Sequence, residues 1–252
     1  MFTGFWFEFS ILLVAAVFGS VAILPYSVRL LKESKKGKSL KLPLWMIVFL
    51  SLLQNIVLFA VIIGIGLLAA HQIGLGAPLI GGASLMLPPL LLGILGGCFL
   101  LCADLLFLPY FPEKLLKTTL KTTQWENFTA SFYGGINEEL FSRLFGVSVI
   151  AWLLSRVWHT PTGLPTDSIF WIAIVIMAIL FALGHLPTLK SLLGTITPVM
   201  FFRTILLNTP IGLLCGLLFW HYGITAAIIA HFVADIVYHV GGTYVLRSRV
   251  NK

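Results

Sequence analysis

The sequence has little charge for its length. Only 10% of its 252 residues are charged, 59% are hydrophobic, and the mean hydropathy is +1.02. Soluble domains typically carry about 25% charged residues, so this composition excludes a soluble globular enzyme, a disordered chain and a coiled coil. Most of the chain consists of apolar runs close to the roughly 20 residues that a helix needs to cross a bilayer. The composition therefore predicts an integral membrane protein.

Cysteines and acidic residues are also scarce. The three cysteines show no Cys-x-x-Cys spacing, which predicts neither a disulfide framework nor a zinc knuckle. The 9 acids against 16 Lys plus Arg leave a net charge of +7. A nucleic-acid-binding protein would gather such charge on one soluble face, but here it lies in short gaps between apolar runs. We therefore expect membrane lipids as partners and no nucleic acid.

Seven apolar stretches are predicted to span the membrane. They are Phe5–Val28, Leu42–Ala70, Ala83–Leu108, a stretch that begins between Glu126 and Gly135 and ends near Leu154, Ser168–Leu186, Ile196–Trp220 and Ile224–Leu246. The first lacks a basic segment before it, which favours an uncleaved helix over a signal peptide. The expected fold is an all-α, polytopic transmembrane helix bundle of about seven to eight helices, forming one membrane domain over residues 1–252.

The basic residues predict the orientation, because cytoplasmic loops are enriched in Lys and Arg. Thirteen of the sixteen fall on one side if the N-terminus is outside and the C-terminus cytoplasmic. These are Arg29, Lys32, Lys35, Lys36, Lys38, Lys41, Lys114, Lys117, Lys121, Lys190, Arg247, Arg249 and Lys252. An even number of spans would break the alternation between loops that are rich in Lys and Arg and loops that are not. Short loops and the lack of a targeting segment favour a prokaryotic cell membrane.

Two further segments have recognisable patterns. Pro112–Trp125 is too polar to span, and its lysines at 114, 117 and 121 share a helical face. This pattern predicts an amphipathic helix on the cytoplasmic leaflet, with a solvated loop as the alternative. Asn208-Thr-Pro210 interrupts the sixth span, so that span could consist of two half-helices.

Ionisable groups inside a span cost about 2.5–3.5 kcal/mol each on insertion scales, so each one is a functional candidate. Glu8 and Asp104 lie near span ends and are expected to be structural. Arg203 and Asn208 in the sixth span could either bind a substrate carboxylate or neutralise Asp104. The deeper acids are Glu138, Glu139 and Asp235.

The fourth span contains two adjacent glutamates, which point about 100° apart on a helix. Glu139 and Arg143 are four residues apart on one face, in the favourable order for a salt bridge. This pairing leaves Glu138 directed elsewhere and available as a general base. Gly134–Gly135 would allow a close backbone approach or a break in the helix. The alternative is a structural ion-pair network that takes up both glutamates.

The fifth and seventh spans contribute histidines. Phe181 and His185 share a face, so the ring can pack beneath the imidazole, and Pro187 is expected to end that helix. His231 and Asp235 form a second pair at this spacing, in which the carboxylate could orient the imidazole. Tyr238 and His239, which follow, are assigned structural roles.

These three patterns together resemble the CAAX protease and bacteriocin-processing family, whose members include the type II CAAX prenyl endopeptidases, glutamate-type intramembrane proteases. The family pattern is Glu-Glu-x-x-x-Arg, Phe-x-x-x-His and His-x-x-x-Asn. Here it stands as Glu138-Glu139-x-x-x-Arg143, Phe181-x-x-x-His185 and His231-x-x-x-Asp235. The resemblance covers residues 126–246, which would be the catalytic core, whereas residues 1–125 match only in character.

The resemblance implies a division of roles. Glu138 and His185 would activate the hydrolytic water, His231 and Asp235 would form the oxyanion hole, and Glu139 and Arg143 would brace the site. Aspartate departs from the family's asparagine, because an ionised carboxylate repels a developing oxyanion. Asp235 would then have to be protonated, or to act by orienting His231.

The implied activity is an endopeptidase that cleaves peptides near the cytoplasmic face, with lipid-modified or apolar C-terminal tails as fitting substrates. Glu138, His185 and His231 could also ligate zinc, but the chain has no His-Glu-x-x-His helix, so neither a metal nor another cofactor is expected. Two alternatives to the protease are a non-hydrolytic scaffold or immunity-type protein of the same family, and a proton-coupled carrier. The absence of an internal repeat counts against the carrier.

Overall fold

The protein is a helical bundle. A computed structural model describes residues 2–33, 42–75 and 83–250, and none of these residues forms a strand, which confirms the all-α prediction. Lys35, Lys36, Lys38, Lys41, Lys252 and most of the predicted loop from His71 to Gly82 lie outside the described residues. The first helices are α1 (Phe2–Ala22), α2 (Leu24–Glu33), α3 (Leu44–Gln72), α4 (Ala83–Phe107) and α5 (Glu113–Lys121).

The second half begins with one continuous helical run of mixed geometry. It comprises α6 (Gln124–Phe132), two π-helical segments (Tyr133–Glu138 and Leu140–Val147) and α7 (Ser148–Ser155). The remaining elements are α8 (Asp167–Gly184), α9 (Leu186–Leu193), α10 (Pro198–Tyr222), α11 (Ile224–Asp235), a third π-helical segment (Ile236–Gly241) and α12 (Gly242–Val250).

Six helical stretches of the described chain are long and apolar enough to cross a membrane. They are Gly4–Lys32, Leu44–Gln72, Met86–Tyr110, Asp167–Leu193, Pro198–Tyr222 and Ile224–Ser248. These stretches correspond to six of the seven predicted spans, and they support a multi-pass membrane protein. Which side of the membrane each terminus faces stays a prediction.

The remaining predicted span is the run over residues 124–155, which crosses the bundle from one end to the other. At its start, Glu126 accepts a 2.6 Å hydrogen bond from Arg29 Nε. At its finish, Arg156 Nη2 donates to Gln72 Oε1 at 2.6 Å, beside the end where His71 contacts Glu8. The run is less apolar than the other six because Glu138, Glu139 and Arg143 lie in its middle. Neighbouring helices enclose Glu139 and Arg143, and Glu138 faces a cavity inside the bundle, so none of the three charges has to face lipid.

Two segments differ in detail from the sequence analysis, and the helix predicted within residues 112–125 is present as α5. The helix α10 continues without a break past Asn208-Thr-Pro210, since a proline removes a single N–H and the helix is packed along α8, which compensates for the lost bond. The amphipathic helix is shorter than expected, ending at Lys121. Thr123 begins the next helix by accepting a hydrogen bond from the backbone N–H of Glu126, whose carboxylate caps Thr123 in return.

Close approaches between helices occur at glycines. A Cβ added to Gly97 of α4 would lie 2.7 Å from the carbonyl oxygen of Ala234 and 2.6 Å from Cβ of Val237. A Cβ added to Gly212 of α10 would lie 2.9 Å from Cα of Ala178 on α8. Small residues let helix backbones approach in this way inside membranes. Both glycines therefore join the helices that position the candidate site.

We expect Gly97→Ala to destabilise the protein by about 1–3 kcal/mol, the usual cost of overpacking a tight core. The measurement is the unfolding temperature of the purified protein in detergent micelles. Gly64→Ala is the matched control, because the nearest atom to its new Cβ would be 3.8 Å away. Equal unfolding temperatures for the two variants would contradict the packing described here.

Candidate functional site

The π-helical segments within residues 124–155 position the acidic residues. Its wider turns bring Gly134 and Gly135 against α11, where a Cβ on Gly135 would lie 2.8 Å from Cβ of Phe232. A Cβ on Gly134 would lie 2.3 Å from Oδ2 of Asp235. Of the two possibilities for this glycine pair, the structure shows the close approach, and the helix widens rather than breaks. Such π-helical insertions are frequently found at functional sites.

A buried ion pair lies at the centre of the bundle. Arg143 Nη1 is 2.9 Å from Glu139 Oε1, and the two side chains are 2% and 0% exposed. The guanidinium also donates through Nη2 to the carbonyl oxygen of Gly212 at 3.0 Å. The salt bridge expected from the four-residue spacing is thus present, and it ties the π-helical run to α10.

Glu139 also holds His231. The Nδ1 atom of His231 is 2.6 Å from Glu139 Oε1, and because a carboxylate only accepts hydrogen bonds, Nδ1 carries the proton. The Nε2 atom is then directed toward Asp235. The sequence suggested Asp235 as the residue that orients this imidazole, whereas in the structure Glu139 does so.

Phe181 packs among the charged groups. Its ring centroid lies 4.9 Å from the guanidinium carbon of Arg143, 4.8 Å from the ring of His185 and 5.8 Å from that of His231. A cation over an aromatic face is stabilised by the ring quadrupole. The predicted contact between Phe181 and His185 is present, and the same phenyl ring also packs against Arg143 and His231.

Glu138 faces His185 across the cavity. Its Oε2 atom is 3.8 Å from His185 Nε2, and the side chains are 29% and 37% exposed, in contrast to the enclosed Glu139. The Nδ1 atom of His185 lies 2.8 Å from the carbonyl oxygen of Phe181. Since a carbonyl can only accept, Nδ1 carries a proton, and Nε2 is the ring nitrogen that faces Glu138. The helix α8 ends at Gly184, and Pro187 lies in the first turn of α9.

Asp235 lies between two imidazoles. Its Oδ1 atom is 3.7 Å from His231 Nε2 and 3.8 Å from His239 Nε2. Both distances allow ion pairing and exceed hydrogen-bond length. The sequence analysis assigned His239 a structural role. The signal that could have placed it in the site is its spacing, because it follows Asp235 by the four residues that separate Asp235 from His231.

A cavity of about 490 Å³ joins these groups. The four residues predicted to be catalytic, together with His239, line one part of it. Leucines from α4, α9 and α10 form apolar walls, and the wall also includes Leu115 and Thr118 of the amphipathic helix α5. At this end of the bundle Arg247 donates to the carbonyl oxygens of Leu120 and Thr122. The cavity therefore extends to the end that the basic residues predict to be cytoplasmic.

A second charged cluster lies in the same wall. Arg203 Nε donates to Asp104 Oδ1 at 2.5 Å, and Tyr238 donates to Asp104 Oδ2 at 2.8 Å. Arg203 Nη2 is also 3.1 Å from the hydroxyl of Tyr238. Of the two roles left open for Arg203, the structure favours neutralisation of Asp104. The amide of Asn208 donates to the carbonyl oxygen of Thr204 on its own helix, and because the residue also lines the cavity, its role in binding a substrate carboxylate stays a prediction.

The described residues contain one group with the composition of a metal site, formed by Glu139, Cys215 and His231. Their ligand atoms lie within 4.8 Å of one another. The Oε1 atom of Glu139 already contacts Arg143 and His231, so the positive guanidinium lies beside the carboxylate that a cation would need. Glu138, His185 and His231, considered earlier as zinc ligands, form no such group in the described part of the chain. The group of Glu139, Cys215 and His231 therefore does not fit a metal centre.

All seven predicted site residues thus meet at one cavity and the ion pair beside it. Residues 122–237 match the family model described as type II CAAX prenyl endopeptidase Rce1-like. The resemblance predicted from the three motifs is confirmed over this segment, and the family is generally one of proteases. No curated protein and no solved structure matches the chain. The Rce1-like segment contains every predicted site residue and ends two residues before His239.

We expect Arg143→Met to destabilise the protein by about 3–5 kcal/mol, because it leaves the Glu139 carboxylate buried without its charged partner. Unfolding by denaturant in mixed micelles measures the change. Arg156→Met is the control, since Arg156 is exposed and exposed charge contacts are worth about 0–1 kcal/mol. A double variant, Glu139→Gln with Arg143→Met, should recover part of the loss. Equal effects at both arginines would refute this role for the ion pair.

Proposed function

We propose that the protein is an intramembrane endopeptidase in which Glu138 and His185 activate a water molecule. The observation that carries this proposal is the opposed pair of acceptors, Glu138 Oε2 and His185 Nε2, 3.8 Å apart on the cavity wall. A water molecule has two protons and can donate one to each acceptor. Its lone pair is then free to attack a carbonyl carbon, which is the arrangement that general-base hydrolysis requires.

The chemical steps follow from these positions. The water oxygen bonds to the carbonyl carbon of the scissile peptide, and its proton passes to Glu138. The negative charge that forms on the carbonyl oxygen faces Nε2–H of His231, whose ring acts as an imidazolium with protons on both nitrogens and is held by Glu139 through Nδ1. The C–N bond then breaks, and Glu138 returns the proton to the leaving amine. Charge stabilisation of this kind is often the largest single contribution to catalysis.

We further propose peptides with a lipid-modified C-terminal tail as the substrate class. The support is the composition of the cavity, in which leucine side chains of α4, α9 and α10 lie next to the carboxylate and imidazole groups. An apolar tail would be buried along the leucines, with about 25 cal/mol gained per Å² of apolar surface removed from water. The scissile bond would then lie beside Glu138.

We expect Glu138→Gln and His185→Ala each to reduce cleavage by about 10²–10⁴-fold, the usual contribution of general acid–base groups. The assay uses the full-length protein in liposomes and a synthetic peptide with a farnesylated C-terminal Cys-aliphatic-aliphatic-X tail, with products identified by mass spectrometry. Glu8→Gln and His159→Ala, at the opposite end of the bundle, are the matched controls and should cleave normally.

The same assay separates the protease from other functions. A metal chelator should leave the rate of cleavage unchanged. Loss of cleavage after chelation would indicate a metal enzyme. Full cleavage by Glu138→Gln would exclude the proposed base. If the wild-type protein does not cleave the farnesylated peptide but cleaves an unmodified apolar tail, the substrate class is wrong and the mechanism stands. If neither is cleaved, the non-hydrolytic scaffold is the better explanation, and the aspartate at position 235 is the observation that favours it.

Asp235→Asn provides an independent test of the oxyanion site. An amide can donate a hydrogen bond to the oxyanion, which an ionised carboxylate cannot do. We therefore expect this variant to keep or increase the rate of cleavage, measured as kcat with the same peptide. Complete loss of cleavage in a variant that still folds would assign Asp235 a different role, such as carrying a proton.

A further inference from the structure

The carboxylate of Asp235 presents a chemical difficulty for the site as described. The groups that act electrostatically on it are the imidazoles of His231, His239 and His185 and a second carboxylate, that of Glu138. An ionised Asp235 would attract the Nε2–H of His231, the same donor that the oxyanion needs. A like charge near a developing negative charge also raises the barrier. A second positive group beside Asp235 would relieve both effects.

His239 is the residue whose geometry fits that requirement. Its Nε2 atom is 3.8 Å from Asp235 Oδ1, close to the 3.7 Å between that oxygen and Nε2 of His231. The side chain is 49% exposed and lines the cavity. An imidazolium at this position would face the same carboxylate oxygen that His231 faces.

The structural contacts of His239 are made by its backbone. Its carbonyl oxygen accepts a 3.0 Å hydrogen bond from Asn127 Nδ2 and another from the hydroxyl of Thr243 at 2.6 Å. Within the described residues, the imidazole itself contacts only Asp235 and the ring of Tyr238, the latter at 4.6 Å between centroids. A role in holding the helices together therefore does not require the histidine side chain.

We propose that His239 is a positioning residue of the site. In its protonated form it holds the Asp235 carboxylate and counters its charge, so that Nε2–H of His231 is left to face the carbonyl oxygen of the substrate. His239 lies outside the segment that matches the Rce1-like family model, which ends two residues before it. The catalytic consequence rests on the proposed protease function, whereas the pairing of Asp235 with His239 does not.

The pairing is tested without any enzymatic assay. Diethyl pyrocarbonate modifies only the unprotonated imidazole, and its rate of reaction with His239 can be followed by peptide mass spectrometry at neutral pH. Because an opposite charge within about 4–6 Å favours the protonated form, Asp235→Asn should accelerate modification of His239 by about threefold or more. Glu8→Gln, a charge change at the far end, is the control. An unchanged rate in Asp235→Asn would overturn the proposal.

The catalytic consequence is tested by a double-mutant cycle on kcat. With Asp235 present, His239→Ala should lower kcat by about tenfold and leave KM nearly constant, a coupling within the range seen for contacting residues. In the Asp235→Asn background the same substitution should have little effect, since no carboxylate is left to counter. An equal loss in both backgrounds would overturn the positioning role, even if Glu138→Gln still abolishes cleavage. The failure of this proposal is thus distinguishable from failure of the protease assignment.

Discussion

The salt bridge between Glu139 and Arg143 is the interaction on which the arrangement of the site depends. A single charge inside a helix bundle is costly, and further hydrogen bonds to a buried ion pair lower that cost. Here the guanidinium bonds to a backbone carbonyl of α10 and lies over Phe181, while the carboxylate holds His231. One ion pair therefore connects the π-helical run with α8, α10 and α11.

The two histidines next to this pair are each oriented by a hydrogen bond from Nδ1. In each, Nδ1 bonds to an oxygen that can only accept, a backbone carbonyl for His185 and a carboxylate for His231. The other nitrogen, Nε2, is then directed toward a carboxylate of the cavity wall. For His185 that group is Glu138, and for His231 it is Asp235. Fixing Nδ1 sets the orientation of each ring and places Nε2 at the cavity.

Much of the site was predictable because the spacing of residues on a helix limits which side chains can meet. The four-residue spacings predicted the salt bridge of Glu139 and the ring contact of Phe181 with His185, and adjacency predicted that Glu138 would point elsewhere. The reach of the Glu139 carboxylate to His231 could not be predicted, because those residues are 92 positions apart. Likewise, the choice of Asp104 as the partner of Arg203 depends on how α4 and α10 pack.

The sequence by itself determined that this is a multi-pass helical membrane protein, since scarce charge and apolar runs of span length leave no other solution in which the backbone is satisfied. It also determined which polar residues are costly, and hence where to look for the site. Only the tertiary structure decided which of them meet. It enclosed Glu139 and left Glu138 open to the cavity, and it placed Asp235 between two imidazoles, because these contacts join different helices whose relative positions no local spacing defines.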